Sequence, residues 1–323
     1  MTVLVTGAAG FIGSHVAHLL LDRGDAVIGL DDLNDYYDVA LKEARLARLT
    51  ARKGFTFVRQ DVGDKDAMAA LGKRFPAIDR IVHLAAQAGV RHSLTHPHAY
   101  TRANVEGQLN VLELARDLPN LRHLTYASSS SVYGGNTKVP FSVDDRVDLP
   151  VSLYAATKRA GELMSHCYSH LYGIPATGLR FFTVYGPWGR PDMSAYIFTR
   201  AIFEGRPITI FNHGDMKRDF TFVDDIAAGV VAALDHPASG TPPHTVYNLG
   251  NHRSEPLMRF VSLLEKAIGR EAIKEFAPMQ PGDVKETYAD IAASQRDLGF
   301  EPAISIEEGL PRFVAWYREY HGV

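Results

Sequence analysis

The stretch "VLVTGAAGFIGSHVAHLLLDRG", residues 3–24, places three glycines between a short apolar run and an amphipathic pattern. The apolar run is typical of a buried strand, and the pattern after the glycines is typical of a helix. A residue without a Cβ permits the tight turn, the approach of backbone to a diphosphate, and the contact of the helix with the strand. The N–H groups at the start of that helix face the anion. The stretch therefore predicts a dinucleotide-binding turn. The residues expected to contact the dinucleotide here are Gly7, Gly10, Phe11, Ile12 and Gly13.

The next two apolar runs end in carboxylates. Asp31 closes "VIGLDD", where its carboxylate would accept hydrogen bonds from an adenosine ribose and repel a 2′-phosphate. This predicts NAD rather than NADP as the cofactor. Asp61 and Val62, at the end of "FTFVRQDV", are expected beside the adenine ring.

Strand-length apolar runs alternate with helical patterns over the first 185 residues or so, and this alternation predicts a parallel sheet covered on both faces. Beyond about residue 186, Pro and Gly interrupt the rhythm. We expect an α/β fold with a Rossmann-type doubly wound parallel sheet and a smaller, discontinuous C-terminal substrate-binding domain. The NAD-binding domain is predicted over 1–179, with 222–249 returning to it. The nucleotide-sugar-binding domain is predicted over 180–221 and 250–323.

Composition excludes several classes of protein. The chain has 323 residues, and 34 basic against 37 acidic side chains give a formal net charge of -3, so no nucleic-acid partner is expected. Apolar runs are too short for a membrane span, and the chain starts in a strand pattern without a basic leader, so we expect a cytoplasmic protein with no membrane partner. The histidines in "RHSLTHPH" lack metal-ligand spacing, and no metal is expected. The only cysteine, Cys167, is expected to be a buried core thiol without a role.

A tyrosine and a lysine stand one helical turn apart in "SLYAATKRAGEL", residues 152–163. On a helix, Tyr154 and Lys158 share a face and can act on a common ligand, although an amphipathic helix alone gives the same spacing. The chain also contains G-x-x-G-x-x-G at its start, "HLAA" at 83–86 and "SSSSVYG" at 128–134. In this order, the four motifs together resemble the extended short-chain dehydrogenase/reductase family, whose members modify nucleotide sugars with a tightly held NAD.

The resemblance implies roles for the motif residues. Tyr154 would be the catalytic base, Lys158 would tune it and hold the nicotinamide ribose, and Ser129 would share the substrate hydroxyl. A phenol has a pKa near 10, and a nearby ammonium together with the nicotinamide ring would lower it by favouring the phenolate. The resemblance also places the strand end at 83–86 against the cofactor. The contacts expected from it are Leu84, Ala85 and Ala86.

The reaction can be narrowed by what stands beside Ser129. Dehydratases of this family carry an Asp–Glu pair there, and UDP-glucuronate decarboxylases carry a glutamate just before "VYG". This chain has Ser130 and Ser131, which cannot supply that acid–base chemistry, so elimination is disfavoured and 4-epimerisation is expected.

Four stretches of the chain narrow the sugar. "LDDLNDYYD", "AAQAGVRHS", "FFTVYGPWGRPDM" and "RDFTFVDDI" are similar to those of UDP-glucuronate 4-epimerases, which convert UDP-glucuronate to UDP-galacturonate. Thr183 stands where UDP-galactose 4-epimerases typically have Asn. Arg190 would form a bidentate pair with the sugar carboxylate, helped by Ser130 and Ser131.

The resemblance also places the nucleotide and a partner. Arg218 is expected to contact the pyrophosphate, Asp283 the uridine ribose, and Arg91 the substrate side of the cleft. The helices around 95–117 and 153–171 resemble the pair through which family members form a four-helix bundle, which predicts a homodimer.

Three other functions stay open at this point. The sugar could be UDP-glucose, UDP-galactose or an N-acetylated derivative, with the same mechanism. A UDP-glucuronate decarboxylase is less consistent with the serines at 130 and 131. A noncatalytic NAD-binding regulator is disfavoured because such proteins tend to lack the Tyr–Lys pair, which is intact here.

Overall fold

The computed structural model describes residues 1–280 and 283–323. In this part of the chain the strands are β1 (Thr2–Thr6), β2 (Ala26–Asp31), β3 (Phe55–Arg59), β4 (Arg80–His83), β5 (His123–Ser129), β6 (Ala176–Phe181), β7 (Thr183–Tyr185), β8 (Ile208–Ile210), β9 (Lys217–Arg218), β10 (Phe220–Phe222), β11 (His244–Leu249), β12 (Glu255–Pro256) and β13 (Lys274–Phe276).

The α-helices of the same residues are α1 (Phe11–Asp22), α2 (Val39–Thr50), α3 (Lys65–Arg74), α4 (Pro97–Tyr100), α5 (Gly107–Asp117), α6 (Leu153–Tyr172), α7 (Ser194–Glu204), α8 (Val223–Asp235), α9 (Leu257–Ile268), α10 (Ala292–Leu298) and α11 (Ile306–His321). A π-helical segment spans Thr101–Glu106, and 3₁₀ turns span His92–Leu94, Ser130–Tyr133 and Phe211–Gly214.

Seven strands form one parallel sheet in the order β11-β6-β5-β4-β1-β2-β3. The residues of β6 are all buried, as expected for a strand covered by helices on both faces. The strand order reverses between β1 and β4, and a crevice opens at the carboxyl ends of the strands at such a point. The predicted doubly wound α/β fold is confirmed. The strand predicted from "TVYNLG" is β11, and it pairs with β6 in this sheet.

The remaining short strands form three pairs outside the main sheet, β7 with β10, β9 with β12, and β8 with β13. They carry the segments around Arg190 and Arg218, and α9 packs against α7 and α11 beside them. This part of the chain is thus more regular than the Pro and Gly pattern indicates. The domain boundaries given above stay a prediction.

Two details differ from expectation. Cys167 is exposed, and the prediction of a buried thiol is wrong, because the stripe of α6 that faces the core runs through Ser165 and Ser169. The helix expected around 95–117 is divided into α4, the π-helical segment and α5. Among the residues that the structure describes, no helix combines the length and apolar character needed to cross a membrane.

Candidate active site

The glycine turn after β1 is as close-packed as the sequence predicts. Gly7 has φ of 71°, and a Cβ on it would lie 2.8 Å from the backbone nitrogen of Ala85. A Cβ on Gly13 would lie 2.0 Å from the carbonyl oxygen of Gly7. Helix α1 begins at Phe11 and has no side-chain cap, so its first N–H groups are available to a ligand. This turn fits the diphosphate of a dinucleotide.

The two predicted carboxylates lie beyond this turn. Asp31 is buried and accepts hydrogen bonds from the backbone nitrogens of Ala9, at 3.0 Å, and Leu33, at 2.9 Å. Burial raises the pKa of its carboxyl group. Asp61 accepts from the Arg102 Nε at 2.9 Å. Both side chains keep defined positions on the side of the crevice where the adenosine is predicted.

One cavity of about 1050 Å³ joins the glycine turn to the smaller part of the molecule. Every residue that the sequence predicts for cofactor or sugar lines it. These residues are Gly7, Gly10, Phe11, Ile12, Gly13, Asp31, Asp61, Val62, Leu84, Ala85, Ala86, Arg91, Ser129, Ser130, Ser131, Tyr154, Lys158, Thr183, Arg190, Arg218 and Asp283. Their individual roles stay predictions.

The start of α6 positions the predicted base. The Ser152 side chain caps the helix by accepting from the Ala155 nitrogen at 3.1 Å, which places Tyr154 and Lys158 in the first two turns. The Lys158 Nζ donates to the carbonyl oxygen of Ala127, at 3.0 Å, on β5. The Tyr154 ring lies edge-on to Tyr100, with ring centroids 6.1 Å apart. Both residues of the pair therefore face the cavity at the carboxyl end of β5.

The serine run turns at the same strand end. Ser129 is extended, and its Oγ accepts from the Ser131 nitrogen at 3.2 Å and from the Ser131 Oγ at 3.0 Å. The Ser129 side chain lies close enough to Tyr154 to lower the pKa of the phenol. The structure thus brings Ser129, Tyr154 and Lys158 to one place.

The sequence of this chain matches a known protein family. The model of the NAD dependent epimerase/dehydratase family matches residues 3–250. The chain belongs to this family. The family predicted from the four motifs is confirmed, and NAD is its cofactor.

Three similar proteins illustrate the relationship within the epimerase/dehydratase family. UDP-glucuronate 4-epimerase 4 of Arabidopsis thaliana is 48% identical over 334 residues, which cover 99% of this chain and 76% of that protein. The crystal structure of a UDP-glucuronic acid 4-epimerase from Bacillus cereus, with UDP-glucuronic acid and NAD, matches with a TM-score of 0.92 at 35% identity, covering 99% of this chain and 100% of that one. A UDP-glucose 4-epimerase from Thermotoga maritima, solved with UDP-glucose, matches with a TM-score of 0.88 at 30% identity and covers 99% of this chain and 100% of its own.

The pKa of Tyr154 shifts in the direction opposite to the one that the family resemblance implies. The predicted lowering of the Tyr154 pKa by Lys158 is not found, because burial raises this pKa. The charge that most opposes the rise belongs to Arg190, and the Ser129 side chain has the next largest lowering effect on the Tyr154 pKa. Burial, with a smaller contribution from Arg190, lowers the pKa of Lys158 to about 8. Arg190 is therefore close enough to act on both residues of the Tyr–Lys pair.

Arg190 itself has a partner that the sequence reading missed. Its Nε donates to Asp192 Oδ1 at 3.0 Å, and its Nη2 forms an ion pair with Oδ2. Tyr36, from the segment after β2, donates to the same carboxylate at 3.0 Å. Asp192 stands two residues from Arg190 in "GRPDM", so proximity in sequence was the available signal, but nothing local indicates Tyr36.

A buried network behind the serines was also missed. The Ser128 Oγ donates to Glu162 at 2.6 Å, and Arg180 binds the same carboxylate through Nε at 2.8 Å and Nη2 at 3.0 Å. Glu162 lies one turn beyond Lys158 on α6, and Arg180 lies on β6. The network therefore fixes the helix that carries the Tyr–Lys pair against the strand end that carries Ser129. The spacing of Tyr154, Lys158 and Glu162, four residues each, was the signal.

The predicted nucleotide contacts lie at the other side of the cavity. Arg91 donates to Asp283 at 2.9 Å and stacks over the Phe211 ring. Arg218 donates to the carbonyl oxygen of Lys285 at 3.1 Å. Asp283, expected to accept from a ribose, is thus held by an arginine from the opposite part of the molecule. Within residues 1–280 and 283–323, no group of three or more His, Cys, Asp or Glu is placed to hold a metal ion.

Proposed function

We propose that this chain is a UDP-glucuronate 4-epimerase, which interconverts UDP-glucuronate and UDP-galacturonate with bound NAD. The observation that carries the proposal is the position of Arg190. Its charge acts on both Tyr154 and Lys158, so a carboxylate bound by it would lie beside the reacting carbon. The likeness to the UDP-glucuronate 4-epimerases of Arabidopsis thaliana and Bacillus cereus supports the same substrate.

The chain's own residues would handle the proton. As the phenolate, Tyr154 would take the proton of the sugar 4-hydroxyl while C4 loses its hydride, which leaves a 4-keto sugar. Ser129 would hydrogen-bond the same oxygen, and Lys158 would provide a positive charge on the inner side. Bound NAD supplies the hydride acceptor and a ring charge that favours the phenolate. After the keto sugar turns over, Tyr154 would return the proton as hydride reaches the other face of C4.

The serines and Arg190 would restrain a side reaction. Oxidation at C4 makes a β-keto acid, which loses carbon dioxide when its carboxylate bond aligns with the carbonyl π system. Arg190, Thr183, Ser130 and Ser131 line the cavity and would hold the carboxylate away from that alignment. None of them can act as the second acid or base that elimination of water needs.

The nucleotide would occupy the side of the cavity formed by the smaller domain. We assign the pyrophosphate to Arg218, the uridine ribose to Asp283, and a substrate-side contact to Arg91. The ion pair between Arg91 and Asp283 supports this assignment, because it joins the two parts of the molecule across the cavity. In this assignment, residues 180–221 and 250–323 bind the nucleotide sugar, and residues 1–179 with 222–249 bind NAD.

One experiment tests the function directly. Purified protein is incubated with UDP-glucuronate without added cofactor, and the products are identified by NMR. UDP-galacturonate is the expected product, and Tyr154→Phe should abolish it. A UDP-pentose would indicate a decarboxylase instead. Conversion of UDP-glucose or its N-acetylated derivative, with UDP-glucuronate unchanged, would assign the enzyme to the neutral sugars.

The exposed face of α6 supports the predicted homodimer. Leu163 and Leu171 are 55% and 60% exposed and, with Cys167, recur every four residues along one face of α6. Leu109, on the neighbouring α5, is also exposed. We propose that a second copy covers this face, forming a four-helix bundle. Light scattering should report a dimer for the wild type and a monomer for Leu163→Glu; a monomeric wild type would refute the proposal.

Cytoplasmic residence is proposed from the sequence alone.

A further inference from the structure

Three side chains from two distant segments meet beside the reaction centre. Tyr36 lies between β2 and α2, on the adenosine side of the cavity, whereas Arg190 and Asp192 precede α7. Tyr36 donates its hydroxyl to Asp192 Oδ2 at 3.0 Å, and Asp192 binds the Nε and Nη2 of Arg190. The three residues form a chain of bonds that ends at the arginine proposed for the sugar carboxylate.

Tyr36, Asp192 and Arg190 each have a defined charge at neutral pH. Burial first, and Asp192 second, raise the pKa of Tyr36 to about 12, so its phenol stays a hydrogen-bond donor. Burial would raise the pKa of Asp192, but Arg190, with a smaller contribution from the Tyr36 hydroxyl, more than offsets this, and the pKa of the carboxyl group lies below its usual value. The unit is therefore a neutral donor, an anion and a cation in a fixed order.

The Tyr36 hydroxyl reaches Asp192 past the backbone that follows β4. A Cβ on Gly89 would lie 2.3 Å from the Tyr36 Oη, and Gly89 has φ of 98°, so a side chain there would be both strained and in collision with the phenol. The His92 ring packs against the Tyr36 ring on the same side, with centroids 4.7 Å apart. The tyrosine thus packs against the segment after β4, and its hydroxyl is bonded to Asp192.

The binding of Asp192 determines which part of Arg190 a ligand can use. The Nε and Nη2 atoms form one edge of the guanidinium, and both are taken by the carboxylate. Among the described residues, the Nη1 atom has no hydrogen-bond partner, and Arg190 lines the cavity. A guanidinium has five N–H donors in a rigid plane, so fixing one edge also orients the other donors.

We propose that Tyr36 and Asp192 are positioning residues that orient Arg190 for the sugar carboxylate, so that the preference for acid over neutral sugars depends on them. This inference rests on the proposed function. A free arginine side chain would lose its rotamer freedom on binding the carboxylate, and an arginine already held by Asp192 and Tyr36 loses less. The affinity for a neutral sugar gains nothing from this fixed orientation of Arg190, because a neutral sugar has no carboxylate to bind.

The test uses variants that keep the net charge, because a change of charge would alter the affinity for any anion. Tyr36→Phe removes only the hydroxyl, and Asp192→Glu keeps the carboxylate but moves it by one methylene. Dissociation constants of the NAD-loaded enzyme for UDP-glucuronate, UDP-glucose and UDP are measured by calorimetry, in the wild type and in Arg190→Ala. Tyr247→Phe is the matched control, since its hydroxyl also donates to a carboxylate, Asp297, away from the cavity.

We expect both variants to bind UDP-glucuronate about 10-fold more weakly, with UDP-glucose and UDP unchanged within about two-fold. In the Arg190→Ala background the same changes should have no further effect. Equal weakening of UDP, or an effect that persists without Arg190, would overturn the positioning role. If the wild type itself does not prefer UDP-glucuronate to UDP-glucose, the proposed function fails, and this inference fails with it.

Discussion

The Nζ of Lys158 lies 3.0 Å from the carbonyl oxygen of Ala127, and this contact holds the amine at the end of β5, in a buried position. Burial and Arg190 lower the pKa of Lys158 from 10.5 to about 8. The folded protein therefore disfavours the ammonium form that the proposed reaction uses. Burial of this charged lysine therefore costs stability. Replacing it with an uncharged residue should raise stability and lower activity.

Lys158→Met should thus raise the stability of the nucleotide-free protein while lowering turnover about 100-fold or more. The shift in pKa corresponds to roughly 3 kcal/mol, which is an upper bound on the gain. The penalty on wild-type Lys158 is complete below about pH 8 and disappears as the pH rises towards 10.5, where the unfolded lysine also loses its proton. Urea unfolding at pH 7 and pH 10 checks this. The gain in stability of the variant over the wild type should be present at pH 7 and small at pH 10; the same difference at both pH values, or no gain at pH 7, would contradict it.

Because Gly13 lies so close to Gly7, we expect a side chain at position 13 to weaken retention of the cofactor. A Cβ on Gly13 would lie 2.0 Å from the Gly7 carbonyl oxygen, and neither backbone can move without shifting the turn or α1. Gly13→Ala should lose most of the nucleotide that copurifies with the protein, measured by absorbance after denaturation. Gly135→Ala is the control, because a Cβ there would meet only Val151 Cγ1, at 3.9 Å. Full retention by Gly13→Ala would show that the turn adapts.

The fold and most of the cavity could be predicted from sequence because their signals are local. The strands of the sheet are continuous apolar runs, and the glycine turn, the serine run and the Tyr–Lys pair are each contained in a short stretch. The contacts that set the charge of the site are not local. Tyr36 and Asp192 are 156 residues apart, and no periodicity indicates that they meet.

Arg45 is another residue whose contacts could not be predicted from the sequence. Its side chain is completely buried, and it donates to the carbonyl oxygens of Ala9, at 3.1 Å, and Trp188, at 2.6 Å. In the stretch "LKEARLARL" such an arginine is typical of a solvated helix face, because a buried arginine is expected to have a carboxylate partner. Here backbone carbonyl groups take that place, and they tie the glycine turn to the segment that leads to Arg190.

The ion pair of Glu162 with Arg180 makes a prediction about acid stability. Both side chains are buried, so Glu162→Gln should destabilise the protein by about 3 kcal/mol at pH 7. Burial alone would raise the pKa of Glu162, but Arg180, together with Ser128 and Arg159, holds it below its ordinary value of 4.5. The contribution of the pair is therefore present above pH 4.5 and is lost as the pH falls through the lower, folded-state pKa.

Urea unfolding of Glu162→Gln and the wild type at pH 7 and pH 3 would measure this. The difference between the two proteins should shrink at the lower pH. Asp22→Asn, which removes an exposed pair with Arg52, is the control and should change stability by less than about 1 kcal/mol. A Glu162→Gln variant as stable as the control at pH 7 would contradict the prediction.

Variants of Arg190 should show two separate effects: a change in the use of the acid sugar and a change in the products formed from it. Arg190→Ala should lower kcat/KM for UDP-glucuronate about 100-fold, the effect of losing two hydrogen bonds between charged groups. Any turnover of UDP-glucose should fall less, because that sugar loses only the effect of the Arg190 charge on Tyr154 and Lys158. Because the keto acid would no longer be restrained, part of the product should appear as UDP-pentose by NMR. Arg190→Lys keeps the charge without the planar fork, so it should bind UDP-glucuronate better than Arg190→Ala yet still release pentose. Undiminished turnover of UDP-glucuronate by Arg190→Ala would exclude Arg190 from the sugar site.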